Sequence, residues 1–479
     1  MNRSIRTVAI GTVLAIGIVA LATVWHQALA GPGYRTDLRN PRRLATFEDR
    51  GEILTSDGVV VADSVDVDGS ARRVYPEASL FAHPVGHAAG LFGATGVEGS
   101  NDGVLRTPAP GALESVLGRV FGNPPAAADV ITTLDARLQA VAADALGDQR
   151  GAVVLLDAVR GDVLAWVSSP TYDPNVLTGP EALAAGAALN ADEARPLVDR
   201  ARLERYAPGS VFKVVVAAAA LEAGLTPDSL LEDAAEYVAP GTETPIRNAV
   251  EGPCLSGDTI TLAEALVVSC NTAFASLGVE LGAAAVTSAA TDTGFGDVPP
   301  MELDAIPSVI PPAADLAADV PALAQSAIGG RDVRATPVQM ALLAAAVATD
   351  GTAPRPRFVA DVVEGGSARA AEPPREWRRM VSAAVAADLR TMMIDVVERG
   401  TGTAAGIPGV VVGGKTGTAR QPDAAPHTWF IGFADHDGAT VAVAVVVENG
   451  GALGDEGTGG RVAAPIAHDL LTAWVEGRR

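Results

Sequence analysis

The chain has 479 residues, enough for two or three domains and a large core, and a formal net charge of −22. So acidic a composition argues against a nucleic-acid binder, which needs a basic face. Two cysteines, Cys254 and Cys270, are too few for a disulfide scaffold and wrongly spaced for a zinc site, and the six histidines form no HExxH pattern.

The amino terminus predicts a membrane anchor. Arg3 and Arg6, in a cytoplasmic tail over 1–7, precede an uncharged apolar run from Val8 to Val24, with Trp25 at its far edge. A span over 8–26 would leave the arginines inside and place the remainder outside the cell. Ala28-Leu29-Ala30 has the small-x-small form of a cleavage site, so removal of the segment stays open.

Residues 31–146 are rich in Gly, Pro and Ala and predict a stalk or dimerisation-like domain. In RGEILTSDGVVVADS, two apolar runs flank Ser56-Asp57-Gly58 and predict a hairpin. His83 and His87 sit four apart among Pro84, Gly86 and Gly90, which predicts a loop rather than a metal site. TLDARLQAVAADALGD, 133–148, has helical spacing and predicts a bridge into a second domain over 147–479.

That domain opens with a hairpin about Arg160-Gly161-Asp162 and closes with another turning at 435–438, followed by an amphipathic helix over 461–475. Between them lie alanine-rich helical stretches at 210–223, 261–269, 272–285 and 336–349. Strands at both ends with helices between them predict an α+β fold, one antiparallel sheet flanked by helices.

Of the 35 lysines and arginines only two are lysine, Lys213 and Lys415. A lysine can be driven to release its proton, whereas an arginine cannot. Lys213 stands three residues after Ser210 in YAPGSVFK, on an apolar helix; a desolvated amine one turn from a hydroxyl can activate it as a nucleophile. The plainer reading of Ser210 is a helix N-cap. In VVSCNTAF, Ser269 and Asn271 fall in a tight junction between helices, where such residues also serve as turn formers. In GGKTGTA, glycines beside Lys415 would let a ligand lie along a strand edge. The phosphate-loop frame is met by Gly409, Gly414, Lys415 and Thr416, but Pro422 and Pro426 forbid the helix such a loop must open.

The order SxxK, SxN, KTG marks penicillin-binding proteins and serine β-lactamases. YAPGSVFK, VVSCNTAFA, GGKTGTA, TWFIGFA, GAVVLLDAVRGDVLAWVSSPTYDPN and ATPVQMALLAAAVATDG resemble the transpeptidase domain of class B penicillin-binding proteins, and the stalk pieces RGEILTSDG, RRVYP and TTLDARLQ extend the likeness over most of the chain. Within that family the sequence is most similar to the actinobacterial A type. The resemblance implies a penicilloyl-serine transpeptidase fold with no cofactor and no metal. It implies that Ser210 attacks a D-Ala-D-Ala stem peptide while Lys213 takes its proton. It further implies that Ser269 relays the proton and that Asn271 holds substrate and Lys213 in place. The backbone N–H groups of Ser210 and Thr418 would form the oxyanion hole. A charged Lys415, with Thr416, Gly417 and Thr418, would hold the substrate carboxylate. Peptidoglycan stem peptides, β-lactams and a membrane glycosyltransferase are the expected partners, and a Cys254–Cys270 disulfide is open. Two departures concern loops: Ile328-Gly329-Gly330 followed by Arg331 where the family carries Ile-Gly-Gln, and Val198-Asp199-Arg200-Ala201 where it carries Leu-Asn-Arg-Ala. A β-lactamase, a D,D-carboxypeptidase and a non-catalytic scaffold are the rival readings.

Overall fold

The computed structural model describes residues 11–12, 14–19, 50–67, 70–106 and 127–478. Most of the expected anchor over 8–26 lies outside them; 11–12 and 14–19 are helical. One described helix, Asn271–Asp292, is long and apolar enough to cross a membrane, but it is an interior helix of the second domain, broken at Gly282.

The second domain is built on five antiparallel strands in the order Val411–Ala419, His427–His436, Ala439–Val447, Gly151–Asp157, Val163–Ser169. The first and last segments of the domain thus meet in one sheet, as the two predicted hairpins require. Near-continuous apolar runs reflect burial on both faces. Ala152, Val154 and Leu156 enter the larger core, beside the wholly buried helix Pro337–Ala348. Val153, Leu155, Val443 and Val445 face the other way, under helices Ala136–Leu146 and Ala463–Glu476. Side chains alternate across a strand, so one apolar run serves both layers. Helices start where side chains supply the missing acceptor: Asp135 accepts from Leu138 N–H, Thr261 from Glu264 N–H and Thr336 from Gln339 N–H.

The stalk holds a second sheet, in the order Ser367–Ala370, Val359–Glu364, Asp129–Thr132, Ile53–Leu54, Val60–Val67, Ser70–Val74. Its first two strands come from within the second domain: Val359 to Val363 pair antiparallel with Thr132 to Asp129. The segments 31–146 and 147–479, expected as successive units, thus share one sheet. Glu98, fully buried, anchors the stalk: it accepts from Arg50 Nε and Nη2 at 3.1 and 2.8 Å, from Arg73 Nε at 2.5 Å and from Tyr75 Oη at 3.3 Å. His83 lies on a short helix, Ala82–Val85, and not in a loop; His87 Nδ1 is 3.0 Å from Tyr172 Oη.

Candidate active site

The helix that carries Lys213 is apolar on every side, and its residues from Lys213 to Leu221 are all buried. It begins at Lys213 itself. Ser210 lies in the preceding 3₁₀ turn, Gly209–Phe212, so it does not cap the α-helix by its side chain. That turn is fixed from three sides. Gly209 N–H donates to Gly329 O at 3.0 Å, Trp429 Nε1 donates to Ala207 O at 3.0 Å, and Tyr206 exchanges backbone hydrogen bonds with Ala335. Gly209 has φ +54° and Gly329 φ +74°; a Cβ on Gly329 would lie 2.0 Å from the Gly209 oxygen. The altered Gly329-Gly330-Arg331 segment therefore keeps the one glycine that the turn needs.

Ser269 follows helix Leu262–Val267 and takes a left-handed conformation, φ +61°, uncommon for a residue with a side chain. The conformation is supported by what it achieves: Ser269 Oγ sits between the two lysines, 3.3 Å from Lys213 Nζ and 2.9 Å from Lys415 Nζ. Lys213 Nζ also donates to Ser269 O at 2.6 Å and to Asn271 Oδ1 at 2.8 Å. Those two oxygens only accept, so they take two hydrogens of the amine. In a neutral amine the lone pair then remains to receive a proton from a hydroxyl. Lys415 Nζ donates in addition to Thr416 O at 2.9 Å.

The sequence reading placed the Lys213 amine against the Ser210 hydroxyl. In the structure the amine is held by Ser269 and Asn271 instead, and Ser210 Oγ forms no hydrogen bond among the described residues. The helix start at Lys213 and the strong acceptors on the neighbouring junction explain the difference. Ser210 remains half-buried, one turn earlier, and the residue before it packs against the Lys415 strand: a Cβ on Gly209 would lie 3.1 Å from the Thr418 carbonyl.

Both lysines are fully buried. Burial, then the charge of Lys415, pushes the Lys213 amine well below the usual lysine range. Burial also lowers Lys415, to about 7. Its neighbours are a hydroxyl and a carbonyl, and neither repays the desolvation of an ammonium.

Lys415 lies in the edge strand of the sheet, at mid-strand rather than at a helix start. The flanking glycines serve the protein's own packing. A Cβ on Gly414 would lie 2.3 Å from the Phe430 ring, one on Gly413 2.2 Å from the Phe433 ring, and one on Gly417 2.8 Å from Pro208 O. Room for a ligand is thus not the first reason for them. Thr416 Oγ1 is paired with Thr401 Oγ1 at 2.6 Å, and Thr418 Oγ1 accepts from Gly459 N–H at 3.2 Å. Nothing near Thr401 or Gly459 in the sequence pointed to the site.

Asn271 opens its helix without a side-chain cap from Cys270. Cys254 and Cys270 form a disulfide, with Cα atoms 5.7 Å apart. Among the described residues they and Asp233 make the one acidic-and-cysteine cluster small enough for a metal ion. With the sulfurs bonded to each other no thiolate is left to ligate one, and Asp233 is taken up by the Cys254 and Leu255 N–H groups at 2.7 and 2.6 Å.

Residues 151–472 match the family described as the penicillin-binding protein transpeptidase domain, and 50–130 match the penicillin-binding protein A dimerisation domain. The chain is 38% identical to the peptidoglycan D,D-transpeptidase PbpA of Mycolicibacterium smegmatis, over 99% of both chains, and 37% identical over the full length of its Mycobacterium tuberculosis counterpart. It superposes on the ceftriaxone acyl-enzyme of penicillin-binding protein A from M. tuberculosis with a TM-score of 0.83 at 36% identity, covering 89% of this chain and 98% of that one. Two buried lysines joined through one serine on the sheet edge agree with these likenesses: the chain belongs to the penicillin-binding protein transpeptidase family.

Proposed function

We propose that the chain is a peptidoglycan D,D-transpeptidase in which Ser210 is the acylated nucleophile. The observation that carries the reading is the amine of Lys213, buried, pushed toward neutrality and hydrogen-bonded to Ser269 and Asn271 one turn from the Ser210 hydroxyl.

Ser210 Oγ attacks the penultimate D-Ala carbonyl of a stem peptide while Lys213 takes its proton. The N–H of Ser210, near the start of a helical turn and lacking an acceptor within it, and that of Thr418 on the edge strand hold the oxyanion. The terminal D-Ala leaves as an amine, protonated from Lys213 through Ser269. An amine of a second stem peptide then attacks the acyl-enzyme and returns Ser210. Lys415 in its protonated form receives the substrate carboxylate, which raises its proton affinity on binding. A β-lactam acylates Ser210 in the same way, but its leaving group stays tethered and the acyl-enzyme persists.

The amino-terminal apolar run reads as an anchor that places this site outside the cell, beside a membrane glycosyltransferase that supplies nascent strands. The single test is intact-mass measurement after penicillin exposure with peptide mapping. One adduct on Ser210, stable for many minutes and absent from Ser210→Ala, supports the reading; rapid turnover of a chromogenic cephalosporin supports a lactamase instead.

A further inference from the structure

We infer that Asn248 is a positioning residue for the proposed transpeptidation: it caps the helix that begins at Asn271 and fixes which end of the Asn271 amide meets Lys213. The inference rests on the function proposed above.

The helix Asn271–Asp292 leaves its first N–H groups without intrahelical partners, and Cys270 does not cap it by its side chain. Asn248, 23 residues earlier, supplies the acceptor. Its Oδ1 takes the N–H of Asn271 at 3.0 Å and of Thr272 at 3.1 Å. Its Nδ2 donates to Ala234 O and Gly252 O, both at 3.1 Å, so the side chain is held at both ends. The carbonyl of the preceding residue, Arg247, accepts from Asn271 Nδ2 at 2.9 Å. Arg247 is itself fixed by pairing with Glu236 across a two-stranded ribbon. The Cys254–Cys270 disulfide ties the far end of the same loop to the residue before Asn271.

An amide has two distinguishable ends. With Nδ2 committed to Arg247 O, Asn271 presents Oδ1 to Lys213 at 2.8 Å and takes one of its hydrogens. Turned over, Asn271 would aim N–H groups at the Lys213 lone pair and occupy the position that must receive the Ser210 proton. Asn248 and Arg247 O thus hold the amine in its basic orientation without touching substrate.

The test is a double-mutant cycle on the second-order rate of acylation by a fluorescent penicillin, with Asn248→Ala, Asn271→Ala and both together. A positioned general base contributes about 10²–10⁴-fold, and Asn248→Ala is expected to lose roughly tenfold or more of that. Asn248→Asp keeps the acceptor for the two helix N–H groups and loses less. Because Asn248 acts through Asn271, adding Asn248→Ala to Asn271→Ala costs less than threefold further, about 0.6 kcal/mol. A merely structural role would multiply the two losses. Melting temperatures confirm folding, and if Asn248→Ala is unfolded at the assay temperature the cycle is run with Asn248→Asp. Wild-type acylation rates in the Asn248 variants, or losses that multiply, overturn the inference. Failure of the wild-type protein to take up penicillin at Ser210 overturns the function beneath it instead.

Discussion

Raising the pH through 7 should switch off recognition of a carboxylate ligand while leaving the base ready. Lys415 is fully buried, its Nζ bonded to Ser269 Oγ and Thr416 O, and burial holds it at about 7. A lysine is charged below its pKa and neutral above it. One unit above 7 about a tenth of the molecules keep the ammonium, and two units above about a hundredth. Lys213 carries the same burial and in addition the repulsion of Lys415, so it gives up its proton first. The acylation rate should therefore rise on the acid side as Lys213 is freed and fall about tenfold per pH unit above 7. The assay is the second-order rate of penicillin uptake from pH 5 to 9.5 at constant ionic strength, repeated with the penicillin methyl ester. The ester, lacking the carboxylate, should show the acid limb alone. Lys415→Arg, charged throughout, should acylate more slowly but lose the limb near 7, whereas Lys213→Arg should not acylate. A penicillin rate still rising at pH 9, or an identical alkaline limb for the ester, would refute the division of roles between the lysines.

Three further outcomes are expected. Gly414→Ala places a methyl 2.3 Å from the Phe430 ring, so the edge strand must shift; both melting temperature and acylation should drop, and an unchanged rate would show the strand can yield without cost. Glu98→Ala leaves the Arg50 and Arg73 guanidinium groups buried without their shared carboxylate and should cost about 3–5 kcal/mol in denaturant unfolding; a loss under about 1 kcal/mol would mean that water reaches them. The purified protein should show no free thiol without reductant, since the disulfide uses both cysteines, and reduction should remove up to about 3 kcal/mol for a loop of this length; two labelled thiols in the untreated protein would contradict the pairing.

Much of the architecture could be read from periodicity. The flanking hairpins, the capped helices at Thr261 and Thr336 and the terminal helix follow rules that act within a dozen residues. SxxK, SxN and KTG are short enough to be seen in the sequence, and it is the tertiary fold that brings Lys213, Ser269, Asn271 and Lys415 together. What stayed hidden depends on partners far along the chain. Asn248 reaches Asn271 across 23 residues, Thr401 reaches Thr416 across 15, and Gly459 reaches Thr418 across 41. The depth of Lys415, and hence its lowered proton affinity, is a property of the packed interior. The glycines at 413 and 414 were visible, but the aromatic rings that require them stand on the adjacent strand. Helix Ala383–Arg399, which packs along the Lys415 strand, also went unread in the sequence.

The loan of 359–370 to the stalk's sheet has a bearing on how this molecule can be cut. A fragment starting after the bridging helix would keep Val359–Glu364 while deleting its neighbour Asp129–Thr132, leaving a row of bare amides and carbonyls open to any stray chain. Pedestal and catalyst are sewn together by that ribbon, so trimming for crystallisation or drug screening should begin near residue 50, upstream of the seam.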